Sequence, residues 1–379
     1  MSQLQILIQT LCPEGVEYKR LETVCELSRG KVYSKTYIAA NAGNYPVYSS
    51  QTANNGELGR ISTYDYDGEY LTWTTDGAYA GTIFHRKGKF SITNVCGLIA
   101  IKSPDILNIR FLYYWLSIKA QEYVYRGMGN PKLMSNQMAT IEIPMPPLTV
   151  QEEIVRILDL FTNLAAELQA ELQARQKQYE HYRNKLLTFE KDAEGMEWKR
   201  LPDICENLDR RRKPVTASNR TFGPYPYYGA SGIVDYVSSY IFDGNYLLIS
   251  EDGANLLARN TPIVFSISGK NWVNNHAHVL KFQNMFTQKY IEYYINMIDV
   301  SQYVSGGAQP KLNQENLNKI LIPIPPLPEQ QRIVSILDKF ETLVNDLSQG
   351  LPAEIAAVQE QYEYYRNKLL LFSKNKVSA

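Results

Sequence analysis

The sequence predicts an α+β protein: two β-rich domains in tandem, each followed by a long helix, with the helices packed as an antiparallel coiled coil. Three observations predict it. The 379-residue chain repeats itself along its length at an offset near 180. The first part of each repeat is dense in Tyr, Val, Ile, Thr, Gly and Asn in short stretches separated by Asp-Gly, Asn-Gly and Ser-Gly turns. The last part of each carries apolar residues in steps of four and three after a proline cluster.

The repeat opens with Glu17-Tyr18-Lys19-Arg20-Leu21, which returns as Glu197-Trp198-Lys199-Arg200-Leu201, with Cys25-Glu26 matching Cys205-Glu206. Tyr45-Pro46-Val47-Tyr48 reappears as Tyr225-Pro226-Tyr227-Tyr228. Asp67-Gly68 and Asp76-Gly77-Ala78 reappear as Asp243-Gly244 and Asp252-Gly253-Ala254, the offset having slipped to 176. Pro131-Lys132-Leu133 matches Pro310-Lys311-Leu312, and Ile143-Pro-Met-Pro-Pro-Leu148 matches Ile322-Pro-Ile-Pro-Pro-Leu327. Tyr179 to Phe189 and Tyr362 to Phe372 are identical at nine of eleven positions. The segments after the proline clusters are therefore nearly copies, whereas those before share mainly scaffold and turn residues.

Within the β-rich parts, 16–146 and 196–325, helical spacing predicts one helix each, Ile109 to Tyr123 and Gln288 to Tyr303. The proline clusters must be extended, because each ring removes a donor and pushes the preceding residue out of the helical region. After the first, Ile154, Leu158, Phe161, Ala165, Leu168, Leu172, Arg175, Tyr179, Tyr182, Leu186 and Phe189 form a heptad seam. After the second, Ile333, Leu337, Phe340, Val344, Leu347, Leu351, Ile355, Val358, Tyr362, Tyr365, Leu369 and Phe372 continue it with a four-residue stutter at Leu351. Gly350 and Pro352 flank the stutter and predict a local break, Pro352 opening a new helical turn. The divisions are thus 1–146, a helix over 147–192, 193–325, and a second helix over 326–379. The helices are expected to pack on one another and hold the β-rich domains apart, leaving an apolar stripe for a partner.

Lys plus Arg and Asp plus Glu are each 39, so any anion-binding surface must be local. Four cysteines, Cys12, Cys25, Cys96 and Cys205, form no CxxC pair and read as buried thiols of a reducing cytosol. The first residues lack the basic start of a signal peptide, and no apolar run approaches the ~18 residues of a membrane helix, which predicts a soluble cytoplasmic protein. There is no Gly-rich phosphate loop, no Asn-Pro-Pro-aromatic methyltransferase site and no HExxH. The repeats share no His or acidic pair that a duplicated enzyme would keep. His276 and His278 form an HxH whose counterparts, Val95 and Gly97, carry no ligands, so neither metal nor cofactor is expected; His85 and His181 read as surface or packing residues.

The doubled Pro-Pro-Leu-x-x-Gln-x-x-Ile-Val-x-Ile-Leu-Asp strap and the Tyr-Arg-Asn-Lys-Leu-Leu helix end, each following a divergent β-rich unit, resemble the specificity subunit of type I restriction-modification systems over essentially the whole chain. The resemblance implies two target-recognition domains, each reading half of a bipartite sequence in double-stranded DNA, with the helical regions as a ruler between them. It also implies docking of two adenine methyltransferase subunits, association with restriction/translocase subunits, and no chemistry by the subunit itself.

Duplex DNA needs Lys and Arg for phosphates and polar side chains for base edges. The first candidate is Arg210-Arg211-Arg212-Lys213, with Arg29, Lys31 and Lys35 in the matching stretch; a solvated loop would also explain such a run. The second is Gly127 to Leu133 and Gly306 to Leu312, where glycines admit a phosphate and Lys132 and Lys311 supply charge, with Gln309 alongside; a tight turn is the alternative. The third is the loop of Thr74, Thr75, Asp76 and Tyr79, with Glu251, Asp252 and Asn255 in the other copy, where an acid can accept from cytosine N4 or simply cap a turn. Tyr48 and Tyr228 are candidate phosphate or groove contacts, or core. The competing classes of function are a scaffold presenting variable faces to proteins or glycans, and a duplicated hydrolase, for which the sequence holds no catalytic constellation.

Overall fold

A computed structural model describes residues 3–127, 129–190, 195–307 and 309–375. The chain divides into two compact units: one contains the chain up to Glu167 and from Ile355 onward, the other Leu168–Glu354.

In the first unit, six strands form one mixed sheet in the spatial order Cys25–Arg29, Cys96–Ile101, Tyr66–Thr74, Ile83–Ile92, Ala42–Tyr48, Glu57–Ile61. Its pairs are antiparallel except Val47-Tyr48 against Ser91-Ile92. In the second unit the corresponding strands form two four-stranded sheets. The long pairing of Tyr66–Thr74 with Ile83–Ile92 runs uninterrupted from Tyr66↔Phe90 to Trp73↔Ile83. Its counterpart is broken between Asp243↔Lys270 and Tyr246↔Ile267, where Gly244-Asn245 faces Ser268-Gly269.

The proline straps are extended, as the prolines require, and each is a strand paired with the opening motif of its own repeat. Tyr18 faces Pro144, and Trp198 faces Pro323. Proline is tolerated because each sheet has only two strands, leaving one side of each strand without a ladder to interrupt. The glutamine that follows each strap pairs a carbonyl of the proline run that no strand ladder takes up. Gln151 is fully buried; its Nε2 donates to the carbonyls of Ile106 (2.9 Å) and Pro146 (2.8 Å), and its Oε1 accepts from the amide of Asn108 (2.8 Å). Gln330 donates to Pro325 (2.7 Å) and accepts from the hydroxyl of Thr287 (2.8 Å).

The helices inside the β-rich parts are Ile109–Lys119, followed by a 3-10 turn at Ala120–Tyr123, and Met285–Met297. The second begins three residues before the sequence expectation, because Asn284 caps it through the amides of Phe286 and Thr287, as Asn108 caps the first. It stops before Asp299, whose carboxylate holds the amide and hydroxyl of Ser301.

One helix runs unbroken over Leu148–Leu187 and gives residues to both units. After the second strap there are two helices, Leu327–Asn345 and Leu351–Leu369, with the expected break between them. Asp346 receives the amides of Ser348 and Gln349, and a side chain at Gly350 would collide with the carbonyl oxygen of Thr342. Leu347 is a correction. Expected in the seam, it lies in this break at 83% exposure, because the chain has left the helix before reaching it.

The core of the first unit gathers Trp73, Phe111, Tyr114, Ile143, Ile154 and Leu158 with Leu370, and Tyr362, Leu369 and Phe372 pack against it; Phe161 stacks on Tyr365 at 5.4 Å. The core of the second gathers Leu187, Tyr290, Ile322, Ile333 and Leu337, with Tyr179 and Leu186 against it; Tyr182 stacks on Phe340 at 5.7 Å. Leu172 is buried, and Leu168 and Ile355 are half-buried. Each unit therefore closes with its own helix start and the end of the other repeat's helix. Both use the strap aspartate: Asp159 accepts from Tyr114 and Arg110, each at 2.5 Å, and Asp338 accepts from Tyr293 at 2.6 Å.

The cysteines are free thiols. Cys12, Cys25 and Cys96 are buried and Cys205 half-buried, and burial pushes Cys25, Cys96 and Cys205 up to about 12. No helix among the described residues is long and apolar enough to cross a membrane.

Candidate nucleic-acid interface

The three basic and polar segments picked out in each repeat are far apart in sequence. Within each unit the fold brings them together. In the first unit the amide of Leu133 donates to the carbonyl of Thr75 (2.8 Å) and that of Gly77 to Pro131 (3.0 Å), joining the glycine-proline-lysine loop to the Asp-Gly turn. Arg29 joins them, its guanidinium donating to the Thr75 hydroxyl (3.1 Å) and the Asn94 carbonyl (2.5 Å). In the second unit the amide of Leu312 donates to Glu251 (2.7 Å) and that of Gly253 to Pro310 (3.0 Å). Arg212 joins these, donating to Glu251 Oε2 at 2.6 Å and to the carbonyl of Ala277 at 2.8 Å. Met128 and Ala308, within the glycine loops, lie outside the described residues.

The charge behind these loops differs between units. Asp209 stands where the first repeat has Arg29, Glu251 where it has Thr75, and His278 where it has Gly97. The last exchange is one of volume: Gly97 faces Trp73, whose ring occupies the space a side chain would need, while His278 faces the smaller Ile249. His278 is buried, with Nδ1 2.6 Å from Asp209 Oδ2 and Nε2 2.8 Å from the carbonyl oxygen of Leu312.

Burial pushes both carboxyls upward. For Asp209 the bond and charge of His278, with the Val279 amide and Arg212, outweigh it; for Glu251 the bond from Arg212, the charges of His278 and Arg212 and the bond from Lys311 do so. Both end below their ordinary values. Ligand atoms of Asp209, Glu251 and His278 lie within 4.8 Å of one another, a spacing that can hold a metal ion. The Arg212 guanidinium already reaches both carboxylates, at 3.4 and 2.6 Å, and supplies their countercharge. The two histidines of the HxH thus separate: His276, exposed, meets Asp252 at 2.8 Å instead. In the first unit Val95 takes that place and cannot donate, which leaves an enclosed oxygen of Asp76 without a hydrogen-bond partner. His85 meets Glu69 at 2.8 Å, and His181 lies exposed beside Tyr182.

Several sequence candidates are buried or engaged within the protein. Thr74 and Thr75 are buried: the Thr74 hydroxyl donates to the Tyr79 carbonyl, the Thr75 hydroxyl to that of Val95. Arg212 and Glu251 keep only 12% of each side chain exposed and are spent on each other. Asn255 uses both ends of its amide on Thr261, pinning its own loop. Tyr48 lies half-buried over the guanidinium of buried Arg86 at 3.6 Å, and Tyr228, half-buried, packs beside Phe265. Arg86 carries no repeat signal in the sequence, since its counterpart Ile267 is apolar.

The candidates that face solvent are Lys31, Lys35, Tyr79 and Lys132 in the first unit, and Arg210, Arg211, Lys213, Gln309 and Lys311 in the second. Lys31 is held by Asp65 at 2.5 Å and Arg211 by the Ile241 carbonyl at 3.0 Å, while Lys311 reaches Glu251 at 3.2 Å. Of the sequence candidates, these keep donor groups at the surface.

The family described as "Type I restriction modification DNA specificity domain" matches the chain twice, over residues 13–175 and 193–357. A putative type I specificity subunit of Mycoplasma pneumoniae is 32% identical over 94% of this chain and 98% of its own length. A putative type I restriction enzyme specificity subunit of Haemophilus influenzae is 34% identical over 94% and 96%. Among solved structures, the S subunit of a type I restriction-modification system from M. genitalium aligns at TM-score 0.64 with 15% identity, covering 94% of this chain and 96% of its own, which shows a shared fold.

Proposed function

This chain belongs to the type I restriction-modification DNA specificity family, and from that premise we propose that it reads a bipartite target in double-stranded DNA and directs methyltransferase and restriction subunits to it. The observation that carries the reading is that the family matches twice, over 13–175 and 193–357, in a chain with near full-length relatives named as specificity subunits. The chain is a recognition subunit and leaves the chemistry to its partners.

In this reading residues 1–146 and 193–325 are the two target-recognition domains, and 147–192 and 326–379 are the spacer helices that set the gap between half-sites. Two adenine methyltransferase subunits dock on the helices, where Leu160 and Leu164 are exposed, and the complex works in the cytoplasm. Lys31, Lys35 and Lys132 with Tyr79, and Arg210, Arg211, Lys213 and Lys311 with Gln309, take the DNA. Arg29, Arg212, Glu251, Asp76 and Asp252 stand behind them and hold the loops. The convergence of the same three segments in both units supports this assignment.

The test is single-molecule methylome sequencing of a host with this chain expressed beside its methyltransferase subunit, repeated with residues 196–325 exchanged for those of another family member. Methylation at a two-part motif, with one half altered by the exchange, is expected. A methylome unchanged by expression, or an exchange that alters both halves, would refute the reading.

A further inference from the structure

The two readers have diverged at many positions, in their cores as well as on their surfaces. Val47 is replaced by Tyr227, Thr72 by Leu248, Trp73 by Ile249 and Ser91 by Trp272 at equivalent sheet positions. An exposed cluster of tyrosine and lysine is among the features kept in both. In the first unit the rings of Tyr45 and Tyr64 meet edge to face at 5.0 Å, and Lys89 Nζ lies 4.7 Å from the Tyr64 centroid. In the second, Tyr225 and Tyr240 meet in the same way at 5.1 Å, and Lys270 Nζ lies 4.8 Å from the Tyr240 centroid. Asp67 and Asp243 face the two lysines across their strand pairs. Tyr64 and Tyr240 are 42% and 41% exposed.

Core packing does not force the retention, since buried neighbours changed while Tyr64, Tyr240, Lys89 and Lys270, which face solvent, did not. A role in reading bases does not explain it either, because the two readers differ in the residues that would set their targets. What both readers share is the sugar-phosphate backbone, which is the same under every sequence. We propose that Tyr64 with Lys89, and Tyr240 with Lys270, form a sequence-neutral contact to a DNA phosphodiester in each reader, the phenol and ammonium both donating to phosphate oxygens. The inference rests on the DNA-reading function above.

The neighbouring phenols raise both lysines above the ordinary value, so both stay cationic. The Asp67 carboxylate, 3.9 Å from Lys89 and 55% exposed, is too well solvated to cancel that charge. The cluster also adjoins the interface already described. Lys31 is held by Asp65, the residue after Tyr64, and Arg211 by Ile241, the residue after Tyr240, so in each unit a second cation is anchored beside the tyrosine.

The experiment measures binding of the full chain, co-purified with its methyltransferase subunit, to a labelled random-sequence duplex and to the duplex carrying the methylated motif, over a range of salt. With Lys89→Ala and Lys270→Ala combined, the slope of log affinity against log salt should shrink by about 0.9 per lysine, with equal loss on both duplexes. The Lys→Arg pair, which keeps the charge, should restore the slope. An unchanged slope, or a loss confined to the motif duplex, would overturn the inference, the latter making the cluster a base reader. If the parent complex shows no salt-dependent DNA binding at all, the DNA-reading function fails and takes this inference with it.

Discussion

Replacing Arg212 with alanine separates two roles that its sequence context leaves open, a phosphate contact and an internal brace. The side chains of Arg212, Asp209 and Glu251 are only 12%, 7% and 12% exposed, so the pairs belong to the buried regime, where removing one partner strands a charge. Such a loss costs about 3 to 5 kcal/mol. Lys311 at 3.2 Å from Glu251 and His278 at 2.6 Å from Asp209 remain, which places the cost near 3 kcal/mol, at the lower end of that range. For a unit of this size that corresponds to a fall in melting temperature of about 6 to 12 °C. Hydrogen exchange of the intact chain should show the loss at Leu312 and Gly253, whose amides donate to the carbonyls of Glu251 and Pro310. Asp209 and Glu251 both sit below their ordinary values when folded, so their stabilising contribution is complete above the carboxylate range and is lost as pH falls through the depressed values. The deficit of Arg212→Ala should therefore narrow below about pH 4. A variant that is as stable as the parent yet shows a smaller salt slope in DNA binding would refute the brace and return Arg212 to the phosphates.

Gln151→Leu, which orphans the Ile106 and Pro146 carbonyls and the Asn108 amide, should destabilise the first unit by about 1 to 3 kcal/mol per group left unpaired, read by denaturant titration of the intact chain. Leu337→Ala should cost about 2 to 5 kcal/mol, whereas Leu347→Ser in the break should stay within about 0.5 kcal/mol, both read the same way; equal effects would mean that the seam continues through the break. Inserting or deleting four residues beside Leu351 should change the gap between methylated half-sites or abolish assembly, read by methylome sequencing and size-exclusion chromatography. An unchanged gap with full methylation would place the break outside the ruler.

How much was legible in the sequence depends on whether the responsible forces are local. The proline straps, the glycine break after Asp346 and the long heptad seam come from backbone dihedral limits and from periodicity within one segment, and each can be read from that segment alone. The repeat established the tandem organisation without any structure, and with it the family resemblance. Leu347 was misplaced because the seam's spacing continues on paper through residues that have already left the helix. The starting point of the second inner helix was missed because its cap, Asn284, lies before the apolar pattern begins.

The site divides along the same line. Residue type alone marked Arg210 to Lys213 as a basic run, and the repeat pointed to Asp76 and Asp252 as corresponding turns. Tertiary structure decided which of these cations face water, because the commitment of Arg212 to Glu251 and of Arg29 to Thr75 depends on partners 39 and 46 residues away. It also decided that three separate candidates form one surface in each unit, and that Tyr64 and Lys89 adjoin it. A hydrogen-bond partner or a buried countercharge is a property of position in space, and the order of residues along a chain does not carry it.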